Sequence, residues 1–208
     1  MARGSSCWLL LLDQDSELSE DFLVVLKREI ADAALHWEIA AIVPVVKDGR
    51  AIISPRRVFP GWTVPIPGPG PGRGEITAIN SGAAIRVSEL KRLGGFNSAF
   101  WLDYQDYWLF HALAQGGGRV LVSRNVLHHR LSVLDYPGSV SVTRYANILD
   151  AEMRFVNGYR PWLERPVLLL RLACRLFRQR RSATLSAFAP LTRTALLTQV
   201  NILVRGRR

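Results

Sequence analysis

Cysteine is scarce in this chain. Of its 208 residues only Cys7 and Cys174 carry a thiol. Two thiols so far apart in sequence make neither a disulfide framework nor a zinc-ligand pattern, and they fit a reducing compartment. Long uncharged apolar runs are missing too. None reaches the ~18 residues that suggest a membrane span. The opening "MARGSSCWLLLLDQD" does not read as a secretory leader, because its short apolar run ends in acids without a small-residue cleavage site. Internal repeats are absent. Acids are rare in one region only: from Arg160 to Arg208 eleven arginines face a single acid, Glu164. That segment accounts for the whole net charge of +10, so residues 1–159 sum to zero. The basic surface is therefore a tail and not the body.

What is present is enough apolar material for a core, 49% of the chain. The expected organisation is one domain over 1–158 and a basic helical tail over 159–208. "WLLLL" (8–12) reads as a strand buried on both faces, being continuous and not alternating. Ser19 reads as the cap of a helix over roughly 20–34. "HWEIAAIVPVV" (36–46) reads as a core strand, and "RAIISPRRVF" comes next and pairs with it. The Pro/Gly-rich stretch 60–74 reads as a loop. "EITAINSGAAIRV" (75–87) reads as a strand broken at Asn80-Ser81-Gly82. Ser88 is expected to cap a short helix ended by Gly94-Gly95. A helix over about 104–115 should stop at Gly116-Gly117-Gly118. Two short strands (119–123 and 125–131) and a helix (140–156) come after it. Alternating strands and helices predict an α/β layered domain, a mixed sheet flanked by helices, with basic helices at the C-terminus.

Three clusters can carry chemistry. Asp13 and Asp15 come directly after the first strand, so they fall at the carboxyl edge of a sheet, where α/β proteins bind ligands. Carboxylates so close repel unless a cation sits with them, and Mg²⁺ prefers such oxygen-rich settings. The competing reading is a turn in which Asp13 only caps the residues after it. Asp103 and Asp106 lie one helical turn apart near a helix start, where the dipole favours carboxylates and capping explains them. Set among Phe100, Trp101, Tyr104, Tyr107 and Trp108, such a carboxylate is also partly desolvated, which raises its basicity toward that of a general base. His128 and His129 point to opposite faces of a strand, so at most one serves a given site. A lone histidine is usually structural, though imidazole can complete a metal shell begun by acids.

"LLLLDQDSELSEDF", then "ITAINSGAAIRVSELKRLGGFNSAFWLDYQDYWLF", then "VLVSRNVLHHRLSV" together resemble family 2 glycosyltransferases, in the rhamnosyltransferase-like branch that builds bacterial surface polysaccharides. The resemblance covers about residues 5–156. It implies a nucleotide-diphospho-sugar transferase (GT-A type) fold and a metal-dependent, inverting transfer to a glycan or lipid-linked acceptor. It assigns Asp13 and Asp15 to the divalent cation (Mg or Mn), with Asp15 the direct ligand, and Asp106 to the catalytic base. His129 corresponds to the histidine near diphosphate and metal, with His128 as the fallback one residue earlier. Asn80, Ser81 and Gly82 fall at the strand break lining the pocket in relatives, and Asp103 matches an acid that contacts acceptor. Trp101 belongs to the aromatics that can stack on sugar faces, although core packing explains most of that cluster. The segment "DYWLFHAL" departs from the family, with Tyr107 and His111 where relatives show other residues.

In the family the Asp-x-Asp strand comes after the strands and helices that hold the nucleotide base and ribose. Here it starts at residue 8, so the chain reads as the second half of such a domain, with an exposed apolar edge at "WLLLL". The alternative is a non-catalytic remnant that acts as a binding module. The tail interleaves apolar residues with Arg171, Arg175 and Arg178, read as one helical stripe, which suggests an in-plane helix on an anionic membrane. A helix packed on the body with a solvated arginine face is the plainer reading. A nucleic-acid partner is not expected, because no basic face on a folded module or recognisable motif accompanies the charge. The expected location is cytoplasmic, peripheral on the inner face of the plasma membrane under the membrane reading. As the half-domain reading has it, this chain alone binds donor nucleotide weakly or not at all. Calorimetry with uridine, thymidine and guanosine diphospho-sugars plus Mn²⁺ checks this, and micromolar binding contradicts it.

Overall fold

The structure, a computed structural model, describes residues 7–14, 16–128 and 140–205. Its contacts fall into two compact units, with boundaries after Ser98, Tyr104 and Arg130. The division is not the one at 158/159 expected from composition. The helix after residue 141, expected with the first segment, packs with the tail helices.

The first unit is α/β. Its elements are β1 (Trp8–Leu10), α1 (Phe22–Ala33), β2 (Ile39–Asp48), β3 (Ala51–Ser54), β4 (Arg56–Phe59), β5 (Trp62–Pro65), β6 (Gly70–Pro71), β7 (Ile76–Thr77), β8 (Ala84–Arg86), α2 (Val87–Arg92), α3 (Gln105–Gln115) and β9 (Arg119–His128). The main sheet has the order β1-β8-β2-β9-β6, with β3 on β2. Strand β9 is parallel to β2, and β8 is antiparallel to both β1 and β2. Consequently β1, β2 and β9 point the same way. Strand β2 is buried from Ile39 to Val46 and reads as an unbroken apolar run for that reason. Phe22, Leu26 and Ala33 of α1 pack with Ile42, Val46 and Leu127 of the sheet. A mixed sheet flanked by helices is thus observed as expected.

Several expectations change. "WLLLL" supplies only a three-residue strand, paired with β8 alone among the described residues. Leu9 and Leu12 are exposed, so the strand is an edge and not a core strand buried on both faces. Ser19 does not cap α1 through its side chain. Its hydroxyl donates to Asp21 (2.7 Å) and the helix begins at Phe22. Ser88 lies inside α2, which starts directly from β8. The Pro/Gly-rich stretch contains β5 and β6, and β5 joins β4 and β7 in a second small sheet.

The two strands expected after Gly118 are one, β9, interrupted by a bulge. Val122 stands opposite Val43 and Val126 opposite Val45, so Ser123, Arg124 and Asn125 share one position of β2. Side chains from α1 pin the bulge. Glu29 accepts from the Ser123 hydroxyl (2.6 Å) and the Arg124 backbone N–H (2.8 Å), and Asn125 Nδ2 donates to the Phe22 carbonyl (3.1 Å).

The second unit is helical: α4 (Val142–Tyr159), α5 (Glu164–Arg181) and α6 (Ala189–Arg205). The Ser141 hydroxyl caps α4 by accepting from Arg144 N–H (3.1 Å). Tyr145, Leu149, Val156, Leu168, Leu172 and Phe188 form its core. Within it the Tyr145 hydroxyl bonds Thr192 (2.6 Å) and accepts from Gln179 Nε2 (2.9 Å), while Gln179 Oε1 has no partner among the described residues.

One buried cation organises the first unit. The Arg86 guanidinium, on β8, donates to the carbonyls of Ile39 (2.9 Å), Ala33 (3.0 Å) and His36 (3.2 Å) and lies over the Trp8 ring at 4.7 Å. Burial pulls its pKa below the ordinary arginine value, while Glu89 and Glu38 pull the other way. Replacing it removes one donor from each of three carbonyls. Those of Ala33 and His36 keep a backbone N–H, from His36 (3.0 Å) and Ile39 (3.1 Å), and a buried group left unsatisfied costs about 1–3 kcal/mol. Arg86→Met is expected to cost about 1–3 kcal/mol in urea unfolding of the full chain. A loss well under about 1 kcal/mol would show that water replaces the donors.

Candidate functional site

The topology brings several predicted residues to one edge of the main sheet. Because β1, β2 and β9 run together, Asp13 and His128 both come off its carboxyl edge. Strand β8 runs the other way, so the turn that leads into it, Asn80-Ser81-Gly82, lies at that same edge. Backbone pairing continues past β1: Leu11 N–H donates to the Ala83 carbonyl and Gly82 N–H to the Leu11 carbonyl, each at 2.8 Å. The Ser16 and Ser81 hydroxyls hydrogen-bond across the gap. The Asp13 loop and the Asn80 turn are therefore held as one unit. Sequence reading missed Ser16, whose role shows only once Ser81 is folded beside it.

Gly82 makes this close approach possible. Its φ is +76°, and a Cβ there would come within 2.6 Å of the Leu127 side chain and 2.8 Å of Pro44. The turn thus touches the end of β9 that delivers His128. It does not bring His128 to Asp13. Strands β8 and β2 intervene, which sets the two about 14 Å apart across the sheet. His128 is exposed and stands opposite Lys47. His129 and Asp15 lie outside the described residues.

Two oxygen groups at this edge have no protein partner among the described residues. The Asp13 carboxylate is exposed and makes no hydrogen bond or ion pair. Asn80 Oδ1 is shut off from solvent and accepts no hydrogen bond. Carboxylate and amide oxygens are the donor types that hard divalent cations take. Among the described residues no group of three or more His, Cys, Asp or Glu can hold a metal ion.

Asp106 sits in the first turn of α3, half-buried, and accepts from the Tyr107 backbone N–H (2.8 Å). Helix α3 packs against β7, whose chain reaches Asn80 three residues on. Buried His111 of α3 bonds Glu75 through Nδ1 at 2.9 Å, which ties the helix to the start of that strand. Neither residue was singled out for this positioning role from sequence.

Asp103 and Trp101 belong to the other compact unit. The expected helical spacing of Asp103 and Asp106 does not hold, because Tyr104 adopts φ +66° and α3 begins only at Gln105. Partial desolvation falls on Asp103. Burial raises its pKa above the ordinary carboxylate value, opposed by Arg144, whose guanidinium lies 3.7 Å away. Trp101 is 74% exposed and takes no part in a core, whereas Phe100 and Trp108 are buried.

Comparison of the chain with protein-family models, with curated proteins and with solved structures returns no match. No helix among the described residues is long and apolar enough to cross a membrane.

Gly82→Ala places a side chain at positive φ against Leu127 and Pro44, so a loss of about 1–3 kcal/mol is expected in chemical denaturation. An unchanged midpoint would mean the turn relaxes freely. Asp103 binds its proton more tightly folded than unfolded, so stability falls as pH rises from 3.8 through the raised folded value. Thermal melts across acid pH should show that decline in the wild type and a flatter profile in Asp103→Asn. Identical profiles would contradict the shift.

Proposed function

We propose that the chain is a glycosyltransferase, or a fragment of one, that moves a sugar from a nucleotide-diphospho-sugar to a glycan or lipid-linked acceptor with inversion. The observation that carries this reading is the joining of the Asp13 loop to the Asn80-Ser81-Gly82 turn at the carboxyl edge of the sheet. The two segments are 65 residues apart at Ser16 and Ser81. An acidic loop fixed against a polar, glycine-containing turn is the arrangement that a diphosphate leaving group with its counter-ion needs.

In this reading Asp13 and Asp15 hold a Mg²⁺ or Mn²⁺ ion, with Asn80 Oδ1 as a neighbouring oxygen. The ion, when bound, neutralises the charge that the departing nucleoside diphosphate gains. Asp106 takes the proton of the acceptor hydroxyl as its oxygen attacks the anomeric carbon from the face opposite the leaving group. No covalent enzyme intermediate forms. The Leu11–Gly82 pairing and the Ser16–Ser81 bond position the Asp13 loop, and the His111–Glu75 bond positions α3.

Mn²⁺ titration monitored by electron paramagnetic resonance tests the reading without requiring turnover. The double change Asp13→Asn, Asp15→Asn is expected to weaken Mn²⁺ binding by about an order of magnitude or more. Absence of Mn²⁺ binding by the wild-type chain, or undiminished binding by the variant, overturns the assignment. With a competent donor and acceptor, Asp106→Asn should lose about 10²–10⁴-fold in transfer rate while Mn²⁺ binding stays intact.

A further inference from the structure

Part of the arginine stripe expected to meet a membrane is tied up within the helical unit. Glu152 of α4, itself buried, bonds Arg175 at 2.9 Å and lies 3.6 Å from Arg171. Burial alone would lower the Arg175 pKa, but Glu152 more than reverses that and holds the guanidinium firmly charged. The acid of the tail is likewise spent, because Glu164 is buried against Arg160 at 2.7 Å. With Leu168, Leu172 and Gln179 also buried, the inward face of α5 is fully accounted for within its own unit.

The outward face is different. Leu163, Pro166, Leu170, Ala173, Cys174 and Phe177 are all exposed. Leu163 is 60%, Leu170 64% and Phe177 57% exposed, although each is a large apolar side chain. Their spacing is i, i+3, i+7, i+10, i+11, i+14. At ~100° and ~1.5 Å per residue that makes one stripe, about 21 Å long. Arg171 and Arg178 fall along one flank of the stripe and Arg180 along the other. Arg178 and Arg180 have no ion pair among the described residues, and Arg181 lies over the Phe177 ring at 4.2 Å. An apolar stripe this long is costly in water. Apart from Arg171, which lies 3.6 Å from Glu152, the flanking guanidinium groups meet no acid among the described residues.

The geometry points to this stripe as the face on which the protein docks in the plane of an anionic lipid bilayer, with Leu163, Leu170 and Phe177 entering the acyl boundary and Arg178, Arg180 and Arg181 meeting lipid phosphates. The flanking arginines argue for the occupant. Their stems can lie along the apolar face while their heads reach the phosphate level, and a surface of negative sign supplies the charge the helix lacks. The inference does not rest on the sugar-transfer reading.

Co-sedimentation of the full chain with vesicles tests it. The chain is expected to sediment with vesicles containing phosphatidylglycerol and to stay in solution with phosphatidylcholine alone, with binding that weakens as salt rises. Replacing Arg178, Arg180 and Arg181 by Gln should weaken binding by about five-fold for each arginine. The pair Leu170→Glu, Phe177→Glu should abolish it. Because all five side chains face outward, melting temperatures should stay near that of the wild type, and the arginine set stands as an independent test should the acidic pair unfold the helix. Three results would overturn the proposal. They are no binding of the wild type to anionic vesicles at low salt, full binding by either variant set, or a wild-type dimer in sedimentation velocity that Leu170→Glu, Phe177→Glu splits.

Discussion

The first unit depends on Arg86. A charged group placed inside an α/β layer is costly unless every donor finds an acceptor. Here the acceptors are three carbonyls between the end of α1 and the start of β2, two of which also accept a backbone N–H, and the ring of Trp8 lies against the guanidinium. One side chain thereby joins β8 to α1, β2 and β1. The consequence reaches the candidate site, since β1 has no neighbour but β8 among the described residues and it is β1 that carries Asp13 to the sheet edge.

The edge itself is built by contacts distant in sequence. Gly82 lies against Leu11 on one side and Leu127 and Pro44 on the other, while Ser16 and Ser81 bridge the loops. The bulge in β9 obeys the same logic. Three residues stand opposite one because Glu29, 94 residues away from Ser123, satisfies the polar groups that the extra residues leave unpaired. Leaving buried polar groups unpaired is costly, so a distant carboxylate decides the local geometry.

In the helical unit the same rule divides the arginines. Those that meet Glu152 or Glu164 become part of the fold, and those with no acid to meet remain on the surface beside the apolar stripe. Composition counts both kinds alike, which is why a sum of charge located the basic segment without showing that Arg175 turns inward to Glu152.

The helices at 22–33, 105–115 and 142–159 were legible because a 3.6-residue apolar period, and the glycine stop at 116–118, are local properties, whereas the cap expected at Ser19 did not form. So was the break at Asn80-Ser81-Gly82, which needs a residue free to adopt positive φ. Asp13 and Asp106 stood out as acids beside apolar segments, and the sequence by itself determined that an acidic turn comes after the first strand and that the tail is cationic. Tertiary structure decided what those features face. It made β1 an edge, detached Asp103 from the helix of Asp106, set His128 apart from Asp13, and turned Arg175 inward. Each outcome rests on a contact between residues far apart in the chain, and short-range pattern carries no information about the partner a buried charge or an open carbonyl will find.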